Sequence, residues 1–339
     1  MINGQARLSN PKGKNLEPGK ETPPPPALCG GAGGRDSPPG TGYNRLGTMK
    51  ILITADLHYD LPRSQEPTRA LARTACAAGG DVLILAGDTA GADPAALTEC
   101  LRLFAGFPGR KLLVAGNHCL WCRNGESSLD RYERLLPDRA AGCGFELLDH
   151  RPVAIDGLGL VGSVGWYDYS FREQSLAIPL AFYRAKLAPG AAAYSGEHAH
   201  LVEANRRRLT ARQLAIATRW MDGVHVRLGM DDEAFLNRLV AKLRRHLWGL
   251  SEQVERIVAV THHLPFEQLV PRGRPDRFAF AAAFMGSERL GQELARCPKV
   301  TDVYCGHSHW PRRMQIGRLR VVNVGSTYRD KRLEVLEVE

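Results

Sequence analysis

From position 49 onward the apolar and polar residues alternate in blocks: a short unbroken apolar run, a polar or glycine-containing break, then a stretch with helical spacing. The runs KILITA (50–55), VLILA (82–86) and KLLVA (111–115) are too short for helices and rich in Ile, Val and Leu, so they predict buried strands. Stretches near 67–78 and 94–105 carry helical spacing and connect them. That alternation predicts a mainly parallel sheet covered by helices on both faces. The run FELLDHRPVAIDGLGLVGSVGW (145–166) predicts two or three antiparallel strands with a turn at Asp156-Gly157. The texture then changes. Residues 196–250 are rich in Ala, Arg and Leu, and amphipathic spacing predicts helices from about His200 to Met221 and from about Asp231 to Leu247. We read the segment 166–250 as a mostly helical insertion. Strands resume at Arg256, and the final RRMQIGRLRVVNVGSTYRDKRLEVLEV has a strand-turn-strand pattern.

Residues 1–48 do not share the pattern. They hold PPPP at 23–26, GGAGG at 30–34 and PPGTG at 38–42, with nothing able to bury a core, which predicts a disordered extension ahead of one domain at 49–339. Hydrophobic content of 44% and charged content of 24% are ordinary for a globular chain. There is no apolar run of the roughly 20 residues a membrane helix needs, and no apolar core of a secretory signal, so a cytoplasmic location without a membrane partner is expected. The eight cysteines are scattered and are expected to be free thiols. Cys119 and Cys122 form one CxxC pair without the second that a four-thiolate zinc site needs, so they are assigned to packing. The formal charge is +9, and Trp166–Leu250 carries 13 basic against 8 acidic residues. Such a lobe suits either a phosphate-bearing substrate or a plain solvated helical surface. It lacks the interleaved aromatics of a single-strand nucleic-acid platform.

The candidate chemistry sits just past the apolar runs. Asp56-Leu57-His58 follows KILITA, Gly87-Asp88 follows VLILA, and Gly116-Asn117-His118 follows KLLVA. His262-His263 follows RIVAV, and Gly306-His307-Ser308-His309 follows TDVYC. Each block alone is common turn chemistry. In a parallel sheet, however, ligands bind at the carboxyl ends of strands, and all five blocks fall there. Two carboxylates, an amide oxygen and several imidazoles make a donor set suited to two divalent transition metals. Asp88 is the natural bridge. Asp56, His58 and one histidine of the GHSH block would complete the first metal, while Asn117, His262 and the other GHSH histidine would hold the second. Two such ions, two carboxylates and a bridging hydroxide leave about one net positive charge, enough to attract a phosphate without trapping it. The hydroxide would attack phosphorus in line, and His118 would protonate the leaving oxygen or steady developing charge. Glycines before Asp88, Asn117 and His307 are expected to allow the tight turns that aim these side chains inward. His150, His198, His200, His225 and His246 stand outside any motif and are assigned to surface or packing.

Taken together, DLH, GD, GNH, HH and GHSH resemble the calcineurin-like metallophosphoesterases, over essentially everything from Met49 to the C-terminus. The resemblance implies a four-layer α/β/β/α sandwich and a phosphomonoesterase or phosphodiesterase acting on a small molecule. It further implies Asp56, His58, Asp88 and His309 on the first metal and Asp88, Asn117, His262 and His307 on the second. Mn²⁺ is the first choice of metal, with Fe or Zn²⁺ as alternatives. Asn323-Val324-Gly325-Ser326 resembles the family's Asn-Pro-Gly-Ser turn. GWYDYSF (165–171) and FAAAFMGS (ending at Ser287) resemble stretches of uncharacterised bacterial members and are expected to line the substrate cleft. Cys119 stands where many members carry an acid, and Gly91 stands where protein phosphatases carry the acid that orients the GNH histidine, with Asp93 two residues farther on. That gap argues against a protein phosphatase. A nuclease drawn to polynucleotides by the basic segment and a non-catalytic scaffold are the competing functions; the scaffold predicts missing ligands, and none is missing.

Overall fold

The computed structural model describes residues 48–339, so the expected disordered extension lies, apart from residue 48, outside the described residues. Eleven strands form two sheets among the described residues. They are β1 (Met49–Thr54), β2 (Val82–Ala86), β3 (Arg110–Val114), β4 (Phe145–Leu147), β5 (Val153–Ile155), β6 (Leu158–Ser163), β7 (Arg256–Thr261), β8 (Val300–Cys305), β9 (Arg312–Ile316), β10 (Leu319–Asn323) and β11 (Glu334–Val338). The first sheet runs β11-β1-β2-β3-β4 and the second β5-β6-β7-β8-β10-β9. Only β11, β5 and β9 are antiparallel to their neighbours.

Continuous apolar runs are explained by two different cores on the two faces. In β1 to β3, Ile51, Ile53, Val82, Ile84, Leu112 and Val114 point between the sheets, where they meet Leu160, Val258, Val260 and Val322 of the second sheet. The alternate residues Leu52, Leu83, Leu85 and Leu113 point outward. There they share a cluster with Leu71 and Ala75 of α1 (Pro62–Ala78) and Leu97 and Leu101 of α2 (Pro94–Arg102). Each buried side chain of this kind contributes about 1.5–3 kcal/mol, so no strand face is spare. On the far side, α3 (Asp232–Ser251) packs against β6 and against α4 (Glu288–Arg296). Its buried stripe of Phe235, Leu236, Leu239, Val240, Leu243, Leu247 and Leu250 keeps helical spacing, and Asp231 caps its first turn through the amide of Ala234. The result is the four-layer α/β/β/α sandwich. No helix among the described residues is long and apolar enough to cross a membrane.

Three local expectations need correction. The single sheet expected from the residue pattern is two sheets, because the runs after residue 150 build the second. The 145–166 run is not one antiparallel group: β4 joins the first sheet parallel to β3, and only β5 and β6 form the hairpin, turning at Asp156 (φ 46°) and Gly157 (φ 79°). The switch happens at Asp149, whose buried carboxylate accepts the amides of Ala115 at 2.8 Å and Val164 at 2.5 Å, one at the end of β3 and one past β6. Nor is 200–221 a single helix. Helical turns cover Ala199–Asn205 and Ala211–Leu214, the second opened by a capping box on Thr210. Residues 216–220 are then drawn out of the helix by hydrogen bonds to 186–190, among them Trp220 N–H to the Lys186 carbonyl at 2.9 Å. The helix expected near Asp231–Leu247 is α3.

His246 lies on α3 with its Nδ1 buried and unpartnered. Burial, then Lys242 and Arg245, push its pKa down to about 4 from an ordinary 6.5. The unfolded chain therefore binds the extra proton between those values and the folded one refuses it, so stability is full above pH 6.5 and falls as the pH drops toward 4. Urea unfolding at stepped pH should show this slope, and His246→Gln should flatten it.

Candidate metal centre

The strand ends deliver the polar blocks to one place. Asp56 and His58 follow β1, Asp88 follows β2, Asn117 and His118 follow β3, His262 follows β7, and His307 and His309 follow β8. The loops are laced together by main-chain bonds: Asp56 N–H to the Gly87 carbonyl, His58 N–H to the Asp88 carbonyl and Gly306 N–H to the His262 carbonyl. Of the nine non-glycine residues with positive φ among those described, five are here: Asp56, His58, Asp88, His307 and His309. Each such backbone costs on the order of 1 kcal/mol or more, and its concentration at one point is typical of a functional site. Of the three glycines expected to make turns, only Gly87 has a left-handed φ, 92°. Gly116 serves instead by close approach, since a Cβ there would collide with the carboxylate and amide of Asp88.

Two clusters of ligand atoms result. One joins Asp56, His58 and His309; the other joins Asp88, His262 and His307, and His58, Asp88 and His118 connect them. The second is the more informative because its protons can be located. His262 Nδ1 lies 3.0 Å from the Ala86 carbonyl and His307 Nε2 lies 3.1 Å from the Phe284 carbonyl. Carbonyls only accept, so in the neutral rings the protons sit on those nitrogens and the opposite nitrogens present lone pairs. His262 Nε2 then faces His307 Nδ1 at 3.2 Å, Asn117 Oδ1 at 3.3 Å and Asp88 Oδ2 at 3.3 Å. With both rings neutral, four electron donors converge on one point, an arrangement that a cation satisfies and that in its absence the proton on His262 Nε2 satisfies instead. In the first cluster, His309 Nδ1 binds the Ser326 carbonyl of the Asn323–Ser326 turn at 2.7 Å, leaving Nε2 3.3 Å from His58 Nε2. The main-chain amide of His307 donates to Asp56 Oδ1 at 2.9 Å.

The electrostatics agree. Burial raises the pKa of Asp88, but His262 and His118 beside it more than offset this and hold its carboxyl well below the usual range. Burial alone would lower His262, yet Asp88 pushes it up to about 9. A cation entering the cluster therefore competes with the His262 proton for the same carboxylate. Burial drives His58 and His307 well down, leaving them neutral as metal ligation requires. His263 is pushed down to about 3 by burial; its Nδ1 holds the Val164 carbonyl, and its ring is packed 4.2 Å from that of His307.

His118 donates its main-chain amide to Asp88 Oδ1 at 2.8 Å, with its ring Nε2 3.9 Å from Asp88 Oδ2. Its ring is held by stacking on Trp121, 3.7 Å between centroids, and Trp121 stacks in turn on His225 at 4.4 Å. His225, assigned from sequence to surface or packing, thus lies one ring away from the site. Asp93 caps α2 and pairs with Arg123, while the space at Gly91 is filled by the carboxylate of Asp60. The seven described cysteines are free, Cys119 buried with its thiol pushed up to about 11 by burial.

The residue most clearly missed is Asp222. It is buried, and Oδ1 accepts from Asn117 Nδ2 at 2.9 Å and Trp121 Nε1 at 2.7 Å, while Oδ2 accepts from Trp220 Nε1 at 2.8 Å and the Tyr167 hydroxyl at 3.1 Å. Because its amide nitrogen is committed to Asp222, Asn117 turns its oxygen toward His262. The signal in the sequence was an acid two residues after Trp220 in a largely basic stretch. GWYDYSF also differs from expectation. Trp166, Tyr167, Tyr169 and Phe171 are buried, with Trp166 and Tyr169 donating to Asp232, so the segment supports the site from behind rather than lining the cleft. FAAAFMGS does reach the cleft, through Ala281 and Met285.

Residues 49–174 match the calcineurin-like phosphoesterase family. No curated protein matches the chain. Among solved structures it is similar to the phosphopantetheinyl hydrolase of Mycobacterium tuberculosis, at 20% identity and a TM-score of 0.59, covering 84% of this chain and 91% of that one. A dimetal phosphatase from Danio rerio aligns at 14% identity and a TM-score of 0.46, over 84% of this chain and 89% of that one. The family match spans β1 to β6 and the first three polar blocks, and the remaining strands complete a sandwich whose fold is similar to that of the phosphopantetheinyl hydrolase.

Proposed function

We propose that this chain hydrolyses a small-molecule phosphomonoester or phosphodiester with two divalent cations, Mn²⁺ before Fe or Zn²⁺. Residues 49–339 are the catalytic unit, and 166–250 shape its cleft. The observation that carries the reading is the convergence of Asp88 Oδ2, Asn117 Oδ1, His262 Nε2 and His307 Nδ1 on one point. Nitrogen and oxygen donors of this kind suit those metals. Asp56, His58, Asp88 and His309 would hold one ion, and Asp88, Asn117, His262 and His307 the other. Bound there, the pair would supply Lewis acidity toward phosphoryl oxygens and water of lowered pKa. Asp88 lies between the two clusters and fixes their separation. His118, at the rim and part exposed, gives its proton to the leaving oxygen, and the stack on Trp121 keeps its ring in line. A nuclease is the weaker reading: Arg184, Lys186, Arg212, Arg238 and Arg244 of the basic segment are spent on Glu233, Asp232, Asp276, Glu133 and Glu293. A scaffold would not retain every ligand.

Full-length protein stripped with a chelator should be inactive on 4-nitrophenyl phosphate and its bis ester, and Mn²⁺ should restore turnover. Asp88→Asn should lower kcat/KM by at least about 100-fold and reduce bound metal measured by elemental analysis. Full activity in the stripped protein would defeat the proposal. His118→Gln should cost about 100-fold on an alkyl ester, whose leaving oxygen needs a proton. It should cost far less on the 4-nitrophenyl ester, whose leaving group departs as the anion; equal losses on both would remove His118 from the acid role.

Asp222→Asn keeps the shape but cannot accept from four donors. Leaving two buried N–H or O–H groups unpaired should cost about 2–3 kcal/mol in urea unfolding. It should also weaken metal binding, read by calorimetry, because the Asn117 amide loses its anchor. Unchanged metal affinity at reduced stability would make Asp222 purely structural.

A further inference from the structure

The cleft above the two clusters encloses about 480 Å³. That is within the range of drug-sized sites and far more than one phosphate occupies. One wall is apolar, formed by Trp220, Met221, Phe278 and Met285. Trp220 is fixed flat against Phe284, 5.1 Å between centroids and 4° between planes, while Met221 is 42% and Phe278 51% exposed. Exposed large apolar groups gathered in a polar rim mark a binding surface. Beside them stand Arg219 and Arg277. Neither guanidinium has an ion pair among the described residues, in contrast to Arg184, Arg212, Arg238 and Arg244 of the basic segment. The Arg277 guanidinium lies 4.8 Å from the Phe278 ring centroid, and Thr218 Oγ1 donates to the Arg277 carbonyl at 3.1 Å. That bond ties the segment bearing Arg219 and Trp220 to the segment bearing Arg277 and Phe278. Two unpaired cations are thus carried beside one apolar wall, both lining the cleft that reaches Asp88, Asn117 and His307.

Resting on the phosphoesterase reading, we propose that the cleft takes an elongated phosphoester whose leaving group has an apolar body ending in a second anion. The scissile phosphate sits at the ligand clusters, the apolar body lies along Trp220, Met221, Phe278 and Met285, and the second anion, carboxylate or phosphate, is held by Arg219 and Arg277. In the reaction a water oxygen bonds to phosphorus, the bond from phosphorus to the organic oxygen breaks, and that oxygen leaves with a proton as an alcohol.

The test compares n-alkyl phosphates with ω-carboxyalkyl phosphates of roughly two to eight carbons, by phosphate release from the full-length Mn²⁺-loaded protein. The expected result is kcat/KM rising with chain length in both series, with the carboxylate adding about tenfold, mainly through KM, at a preferred length. The double variant Arg219→Gln/Arg277→Gln should bring the ratio of carboxylated to plain substrate close to one, and Phe278→Ala should flatten the dependence on length. No dependence on length, or a carboxylate advantage that survives loss of both arginines, overturns the proposal. Should no ester turn over, the phosphoesterase reading fails, and calorimetry with ω-carboxyalkyl phosphonates decides the cleft separately. Binding that tightens with length and weakens about tenfold in the arginine variant supports it, and identical binding to both proteins rejects it.

Discussion

The constraint that organises this molecule is a bare carboxylate, Asp88, buried to 1% exposure where the two sheets meet. An isolated buried charge costs far more than a domain's whole margin of stability, so everything around it must answer it. One carboxylate oxygen takes the main-chain amide of His118, and the other lies against His262, His58 and His118. Because the charge sits at the ends of β2 and β7 together, neither sheet can slide against the other without uncovering it. Removing one partner from such a pair typically costs about 3–5 kcal/mol. The fold's geometry and its electrostatics are in this sense one problem.

The answer is distributed along the chain, and it carries strain. Five residues of the polar blocks hold left-handed backbones, a conformation that costs energy at each non-glycine position. The strand ends over-determine them. Asp56 and His58 are pinned by the Gly87 and Asp88 carbonyls, and Gly306 by that of His262. Asp149 does comparable work between β3 and β6, one carboxylate taking an amide from the end of each strand. Removing either set of contacts would relax the backbone and disperse the donors. The strain survives because the two sheets are locked by the apolar layer between them, in which Ile51, Ile53, Val258 and Val260 are fully buried.

The parts legible in the sequence are those whose signal is local. A run such as VLILA announces a strand with two buried faces, and the polar residues just past it announce what the strand end presents. Hence β1, β2, β3 and the five polar blocks follow from residue order alone, as does α3 from its apolar stripe. What could not be read was set by partners distant in sequence. The period across 200–221 is helical, but 186–190 compete for the same main-chain groups and win part of the segment. FEL at 145–147 looks like the first strand of a hairpin, yet the buried carboxylate of Asp149 sends the next strand to the other sheet. Asp222 carries no motif at all. Its role depends on Asn117, 105 residues away, and on a Tyr167 that the sequence suggested would face the cleft.

Asp222 also explains how a segment outside the sheets can be joined to a rigid centre. The candidate ligands come from strand ends, which the sheets hold, while the cleft wall comes from 218–221 and 277–285, which the sheets do not hold directly. A single carboxylate bridges the two by accepting from Asn117 on one side and from Trp121, Trp220 and Tyr167 on the others. Trp121 in turn carries the ring of His118. Any change that repositions the wall therefore reaches the amide and the imidazole through one buried oxygen pair, so the shape of the cleft and the chemistry at its floor are not independent. A different wall could be grafted onto the same strand ends only if it returned an acceptor to the place of Asp222. This sets a physical limit on how freely the insertion can vary while the centre stays intact.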